Sequence, residues 1–324
     1  MTICCARVLG ARAIVSRSPA CVQPVSWSGE IAVLLSSLSR AGRRIRLFHP
    51  IEESALLAAA GALSSGGIPV PLRGGEHLGI ALGVDEGIDQ IKADHWLALM
   101  KDGPIGASPL TFPFTSPNAI AAQVSIALDI RGEFFTTCGG QLAGAVALGL
   151  AVEAVRGGRA QVMLAGGATY VGRALLDGLA TAGKPDAVGE RIAAVVLAIG
   201  LAEKGKTSEE ARESRILGFC EGFGETSIRD AAEGCLEEGA VHWRDVACIY
   251  EASPFDPSVL KKGPFRSLGI PRFRSPSADL FSASFPAAVV EVAENLERWR
   301  GQRVLVLGSD CMGAAAAALV RCGN

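Results

Sequence analysis

FFTTCGGQLAGAVALGLAVEAVRGGRAQVMLAGGA, residues 134–168, reads as a strand, a tight glycine turn, a long helix and a second strand. Phe134 to Thr137 are aromatic and β-branched, the composition of a strand, and Gly139 and Gly140 break it. Beyond the break, Leu142, Val146, Leu150 and Val155 recur near helical spacing while alanine and glycine fill the remaining faces. That pattern predicts a helix buried on most sides. The run QVMLAGGA shows no polar alternation, as in a strand covered on both faces. The turn offers two residues at which a reaction would be centred: Cys138, just before the glycines, and Gln141, at the helix start.

Working outward, the same order of elements recurs. Arg12–Ser16 and Leu78–Val84 read as strands, Ser54–Gly67 as a helix ended by glycine, and Ser116–Gly132 as a helix opened by Ser-Pro. Later in the chain, strands at Val246–Ala252 and Val304–Ser309 flank a helix at Ser284–Trp299. These alternations predict an α/β protein of two related βαβ halves. The most polar stretch, Ala202–Arg215, reads as a surface crossing. It sets the expected division into residues 1–203, which carry the glycine turn, and a shorter half, 204–324.

Composition narrows the function classes. Apolar residues make up 49%, charged residues 20%, and the net charge is −2, so no global field selects a nucleic acid. The start lacks a basic segment before an apolar core, and no apolar run reaches membrane-spanning length, so a cytoplasmic location and no membrane contact are expected. Nine scattered cysteines without C-x-x-C pairs, and His49, His77, His95 and His242 without metal-ligand spacing, predict no metal and no cofactor.

The run TSPNAIAAQVSIALDIRG, followed by GGQLAGAVALGLAVEAVRGGRAQVMLAGGA, resembles the β-ketoacyl synthase family, the condensing enzymes of the thiolase fold. The resemblance implies a layered α/β/α/β/α arrangement of two pseudo-repeated halves. It also implies a cysteine thiolate at the start of the long helix, lowered in pKa by the helix dipole, with two histidines that assist decarboxylation and hold the enolate. In a gap-free match the cysteine position falls on Gln141. The first histidine falls on Ala252, beside Glu251; the second falls on Asp279, and the family's nearby lysine on Arg274. Asp310 stands in the glycine-rich gating loop GSDCMG, where the family favours an aromatic residue. A negative carboxylate opposes carbanion formation, so the expected catalytic set is empty, with Cys138 as the outside candidate nucleophile.

Glutamine at the elbow is the mark of the family's chain-length-factor subunits. The resemblance therefore implies a silent subunit that pairs with an active ketosynthase in polyketide, polyene or specialised fatty-acid synthesis and shapes the acyl tunnel. Phe112, Phe114, Asn118, Gln123, Phe134, Phe135 and Thr136 are then expected at the heterodimer interface. An acyl carrier protein is the second expected partner, for which Arg40–His49 is a basic candidate dock. The alternatives are a malonyl decarboxylase or condensing enzyme using Gln141 or Cys138, and a homodimeric acyl-binding scaffold.

Overall fold

Two stretches of uninterrupted apolar sequence set the architecture, because each strand they form needs cover on both faces. Along Arg191–Leu201, residues Ala193, Val195, Leu197 and Ile199 point into one cluster, and Ile192, Ala194, Val196 and Ala198 into another. Along Ala314–Arg321, Ala316, Ala318 and Val320 join the first of these clusters, while Ala315, Ala317 and Leu319 face a third. Period-two side-chain alternation thus makes one shared central layer and two outer layers.

The computed structural model describes residues 5–17, 28–40, 42, 45, 47, 49–71, 75–84, 88–181, 191–202, 213–252, 269–276, 280–310 and 312–324. The strands are β1 (Ala6–Arg17), β2 (Leu78–Val84), β3 (Phe134–Thr137), β4 (Val162–Val171), β5 (Arg191–Leu201), β6 (Arg215–Phe223), β7 (Cys248–Glu251), β8 (Arg272–Arg274), β9 (Arg303–Ser309) and β10 (Ala314–Arg321). The helices are α1 (Ser28–Arg40), α2 (Pro50–Ser65), α3 (Asp89–Asp102), α4 (Asn118–Leu128), α5 (Ala143–Arg156), α6 (Arg173–Thr181), α7 (Ser227–Glu238), α8 (Ser284–Glu294) and α9 (Leu296–Trp299).

The strands run in the order β3-β2-β4-β5-β1-β6-β10-β9-β7-β8. Read from its outer edge inward, the first half is β3-β2-β4-β5-β1 and the second is β8-β7-β9-β10-β6, the same order in equivalent strands. The halves meet where β1 pairs antiparallel with β6 through Ala6 with Ile216 and Arg7 with Arg215. Helices α5 and α8 fill the central layer, α2 and α4 cover the first half, and α7 covers the second. This is the layered thiolase-like α/β fold of two pseudo-repeated halves. The expected boundary between 203 and 204 lies outside the described residues.

Small side chains let the layers approach. A Cβ added at Gly83 would stand 2.2 Å from the carbonyl carbon of Ala143, where α5 begins; one at Gly149 would stand 2.3 Å from the Phe219 ring. The expected helix over Ser284–Trp299 is broken at Asn295, whose side chain accepts from the Arg298 N–H at 3.3 Å and starts α9 afresh.

Gly83→Ala is expected to cost about 3 kcal/mol, since the added carbon meets backbone that cannot swing away. Gly178→Ala, in α6 with open space around it, is expected to be neutral or stabilising by up to about 1 kcal/mol. Urea denaturation of the two variants beside the parent measures both; equal midpoints would contradict the close approach.

Candidate active-site elbow

The chain leaves β3 through exposed Cys138 and Gly139, turns at Gly140 with φ 64°, makes one 3-10 turn over Gly140–Leu142 and enters α5. Positive φ is why glycine stands at the pivot. The Thr137 hydroxyl donates to the Ala143 carbonyl at 2.6 Å and ties the strand end to the helix start. Gln141 is half-buried on the turn, and its carboxamide makes no hydrogen bond to the described residues. Leu142 is buried and packs beside Gly308 of β9.

A second elbow faces the first. After Leu280 the chain turns at Phe281 with φ 49°, makes a 3-10 turn over Phe281–Ala283 and enters α8. The Ser282 carbonyl sits over both Gly144 and Gly167, where a Cβ would stand 2.0 Å from its oxygen in either case. The Ser282 hydroxyl donates to the Ala168 carbonyl at 2.9 Å and lies 3.0 Å from the Thr169 hydroxyl, which therefore donates to it. All these groups are buried, so each hydrogen bond replaces solvation that the interior does not provide. Nothing in the sequence marked Ser282 or Thr169, because serine and threonine are ordinary turn and strand residues until their partners are known.

The described second-half positions stand at the C-terminal ends of β7, β8 and β9. Ala252 is fully buried at the end of β7, and its N–H donates to the Leu307 carbonyl at 2.7 Å, one residue before Gly308. Arg274 ends β8, exposed and in register with Glu251. Glu251 itself is ion-paired with Arg272 and so is turned to the sheet edge. Asp279 lies outside the described residues. Asp310 reaches the elbow from β9: its Oδ1 accepts from the N–H groups of Met312 and Ala314, each at 2.9 Å. Its Oδ2 stands 3.9 Å from where a Cβ on Gly140 would be. The carboxylate is therefore fixed at the mouth of the turn and makes no ion pair among the described residues.

The histidines stand elsewhere. His77 precedes β2, and His242 precedes the turn before β7, both at the opposite strand ends. His49 starts α2 on the outer face of the first half-sheet, and His95 is on α3. The described elbow thus offers backbone N–H groups, a neutral amide and a carboxylate. An amide is not a nucleophile, and a carboxylate held at the mouth opposes an anionic intermediate.

Of the residues expected at an interface, Phe112, Asn118 and Phe134 are exposed, while Gln123, Phe135 and Thr136 are half-buried. Phe114 is buried within the chain.

Residues 38–213, more than half of the chain, match the model of the β-ketoacyl synthase N-terminal domain. The chain belongs to the β-ketoacyl synthase family. Nodulation protein E of Rhizobium leguminosarum bv. trifolii is 36% identical over 114 residues, 35% of this chain and 28% of that protein. The 3-oxoacyl-[acyl-carrier-protein] synthase 2 of Vibrio harveyi is 32% identical over 114 residues, 35% and 27% of the two chains. The chain therefore matches under a third of the length of these two relatives. Solved structures extend the likeness of fold to the whole chain. The ishigamide ketosynthase/chain length factor superposes with a TM-score of 0.73 at 19% identity, covering 99% of this chain and 100% of that one. A type II polyketide synthase acyl-carrier protein in complex with its ketosynthase bound to the hexaketide gives a TM-score of 0.74 at 18% identity, with 99% of both chains covered.

Burial separates the thiols. Cys138 is exposed, whereas Cys235, Cys248 and Cys322 are buried, with Cys248 and Cys322 pushed up to about 12 chiefly by loss of solvent. Iodoacetamide at pH 8 is expected to alkylate Cys138 within minutes and to leave these three unmodified until urea unfolds the chain. Peptide mass spectrometry reads the order; early labelling of Cys248 would contradict the packing described.

Proposed function

We propose that this chain is a catalytically silent ketosynthase-like subunit, of the chain-length-factor kind, that pairs with an active β-ketoacyl synthase and shapes the space into which the partner's acyl chain grows. The observation that carries the reading is Gln141 on the turn that starts α5, with the Asp310 carboxylate beside Gly140 and Ala252 buried at the end of β7. Condensation needs a thiolate at a helix N-terminus and donors for the enolate. The described elbow has neither a thiol at that position nor an imidazole opposite.

The surface supports pairing. Strand β3 lies at one end of the sheet order, so one of its edges carries backbone groups without a neighbouring strand. Phe134 on that strand is 42% exposed, Phe112 is 63% exposed, and no residue of helix α3 is buried. Trp96, Met100 and Ile105 are 61%, 79% and 96% exposed. Isolated apolar residues on a surface are ordinary, but an open strand edge carrying an exposed aromatic fits a protein interface. An acidic acyl carrier protein is the other partner in this reading, as an acyl-carrier protein accompanies the ketosynthase in one of the structural neighbours.

Co-expression with β-ketoacyl synthases that carry an intact cysteine and both histidines tests the reading. The expected result is a one-to-one complex by analytical ultracentrifugation, weakened at least tenfold by Phe134→Asp, and no acyl group on this chain after incubation with acylated or malonylated carrier. Acylation of Cys138, or malonyl decarboxylation lost with Gln141→Ala, would overturn silence. A stable monomer indifferent to every ketosynthase offered would overturn pairing.

A further inference from the structure

A cavity of about 240 Å3 opens on the outer side of the first half-sheet, between the start of α2, helix α3 and the segment that leads into α4. His49, Ile91, Asp94, His95, Thr111 and Phe114 are among its lining residues. It lies on the face of the sheet opposite the layer that holds α5, so it is separate from the elbow.

The chemistry of the lining is set by His49. Its Nδ1 accepts from the Ile51 N–H at 3.3 Å and caps α2. With Nδ1 an acceptor, the ring hydrogen sits on Nε2. Burial holds the group down to about 4 against the opposing pull of Asp94, so the imidazole is neutral at pH 7. The Tyr170 ring, edge-on with centroids 4.5 Å apart, holds its orientation. The Nε2–H makes no hydrogen bond to the described residues. Across the cavity, His95 stacks at a tilt on Phe112, with centroids 5.7 Å apart, while buried Phe114 and Ile91 supply apolar wall.

Charge decides what such a space takes. Among the described residues no Lys or Arg lines the cavity, and Asp94 is a carboxylate on the wall, so an anion is disfavoured. Asp94 is exposed and already accepts from the Gln90 Nε2 at 2.8 Å, which leaves little to hold a cation. A neutral group that accepts a hydrogen bond is what remains. Liquid water fills about 30 Å3 per molecule, so the space suits a ligand of on the order of eight non-hydrogen atoms. We propose that this cavity binds a small neutral ketone, its oxygen accepting from the His49 imidazole and its carbon skeleton resting on Ile91 and Phe114. The site needs no partner subunit and goes beyond the pairing reading.

The test is long-range proton–nitrogen NMR of the imidazoles in the purified chain, titrated with cyclohexanone, cyclohexane and cyclohexanecarboxylate. Cyclohexanone is expected to move the His49 Nε2 signal saturably, with the hydrocarbon and the carboxylate bound at least tenfold more weakly. His49→Asn keeps an acceptor at the helix cap and is expected to erase the preference for the ketone over the hydrocarbon. Cyclohexane bound as tightly as cyclohexanone, or a His49 signal unmoved by the ketone, overturns the proposal. The wild-type comparison stands even if the variant fails to fold. Because no ketosynthase is present, a negative result leaves the pairing reading to its own test.

Discussion

The Ser282 carbonyl seated on Gly144 and Gly167 is the contact on which the architecture turns. It locks the first turn of α5, the end of β4 and the start of α8 into one knot. The two α-helical starts of the pseudo-repeat are thereby held face to face in the central layer. Two backbone surfaces meeting without intervening side chains leave no flexible atom to absorb a displacement, so the elbow is fixed in place by its counterpart from the other half. The buried Thr169–Ser282–Ala168 chain of hydrogen bonds adds direction to what the glycines allow.

From this constraint follows the position of everything at the mouth. The elbow turn packs against the end of β9, where Leu142 meets Gly308 and Asp310 stands beside Gly140. Gln141 and Asp310 stand at that mouth, and Ala252 is buried one strand over at the end of β7. The scaffold of a condensing elbow is retained down to the positive φ of Gly140, while the groups that give such an elbow its chemistry are not among the described residues there. A fold kept this closely, with an amide at the helix start, is what the proposed pairing role calls for.

Much of this was legible from residue order. Leu78–Val84 as a strand agrees with the structure at both ends, and the helix of small residues after Gln141 lies where its spacing put it. The alanine run of β10 is different: by propensity Ala314 to Ala318 favour a helix, yet they form a strand. Burial on both faces overrides propensity there, because methyl-sized side chains let α7 and the central layer close on the strand. The Ser282 knot and the His49 cavity were not legible. Each depends on which distant residues the topology brings together, and periodicity carries no information on that.

The central claim is that the elbow holds a neutral amide where the reaction needs sulfur. A crystal structure of the chain bound to an intact ketosynthase measures it most directly, because it resolves the first turn of α5 and the loop before α8 together. The account predicts the Gln141 carboxamide at the helix start, Asp310 at the mouth and no ring nitrogen within hydrogen-bonding reach. A Cys138 sulfur rotated into that position and met by two imidazoles would contradict it.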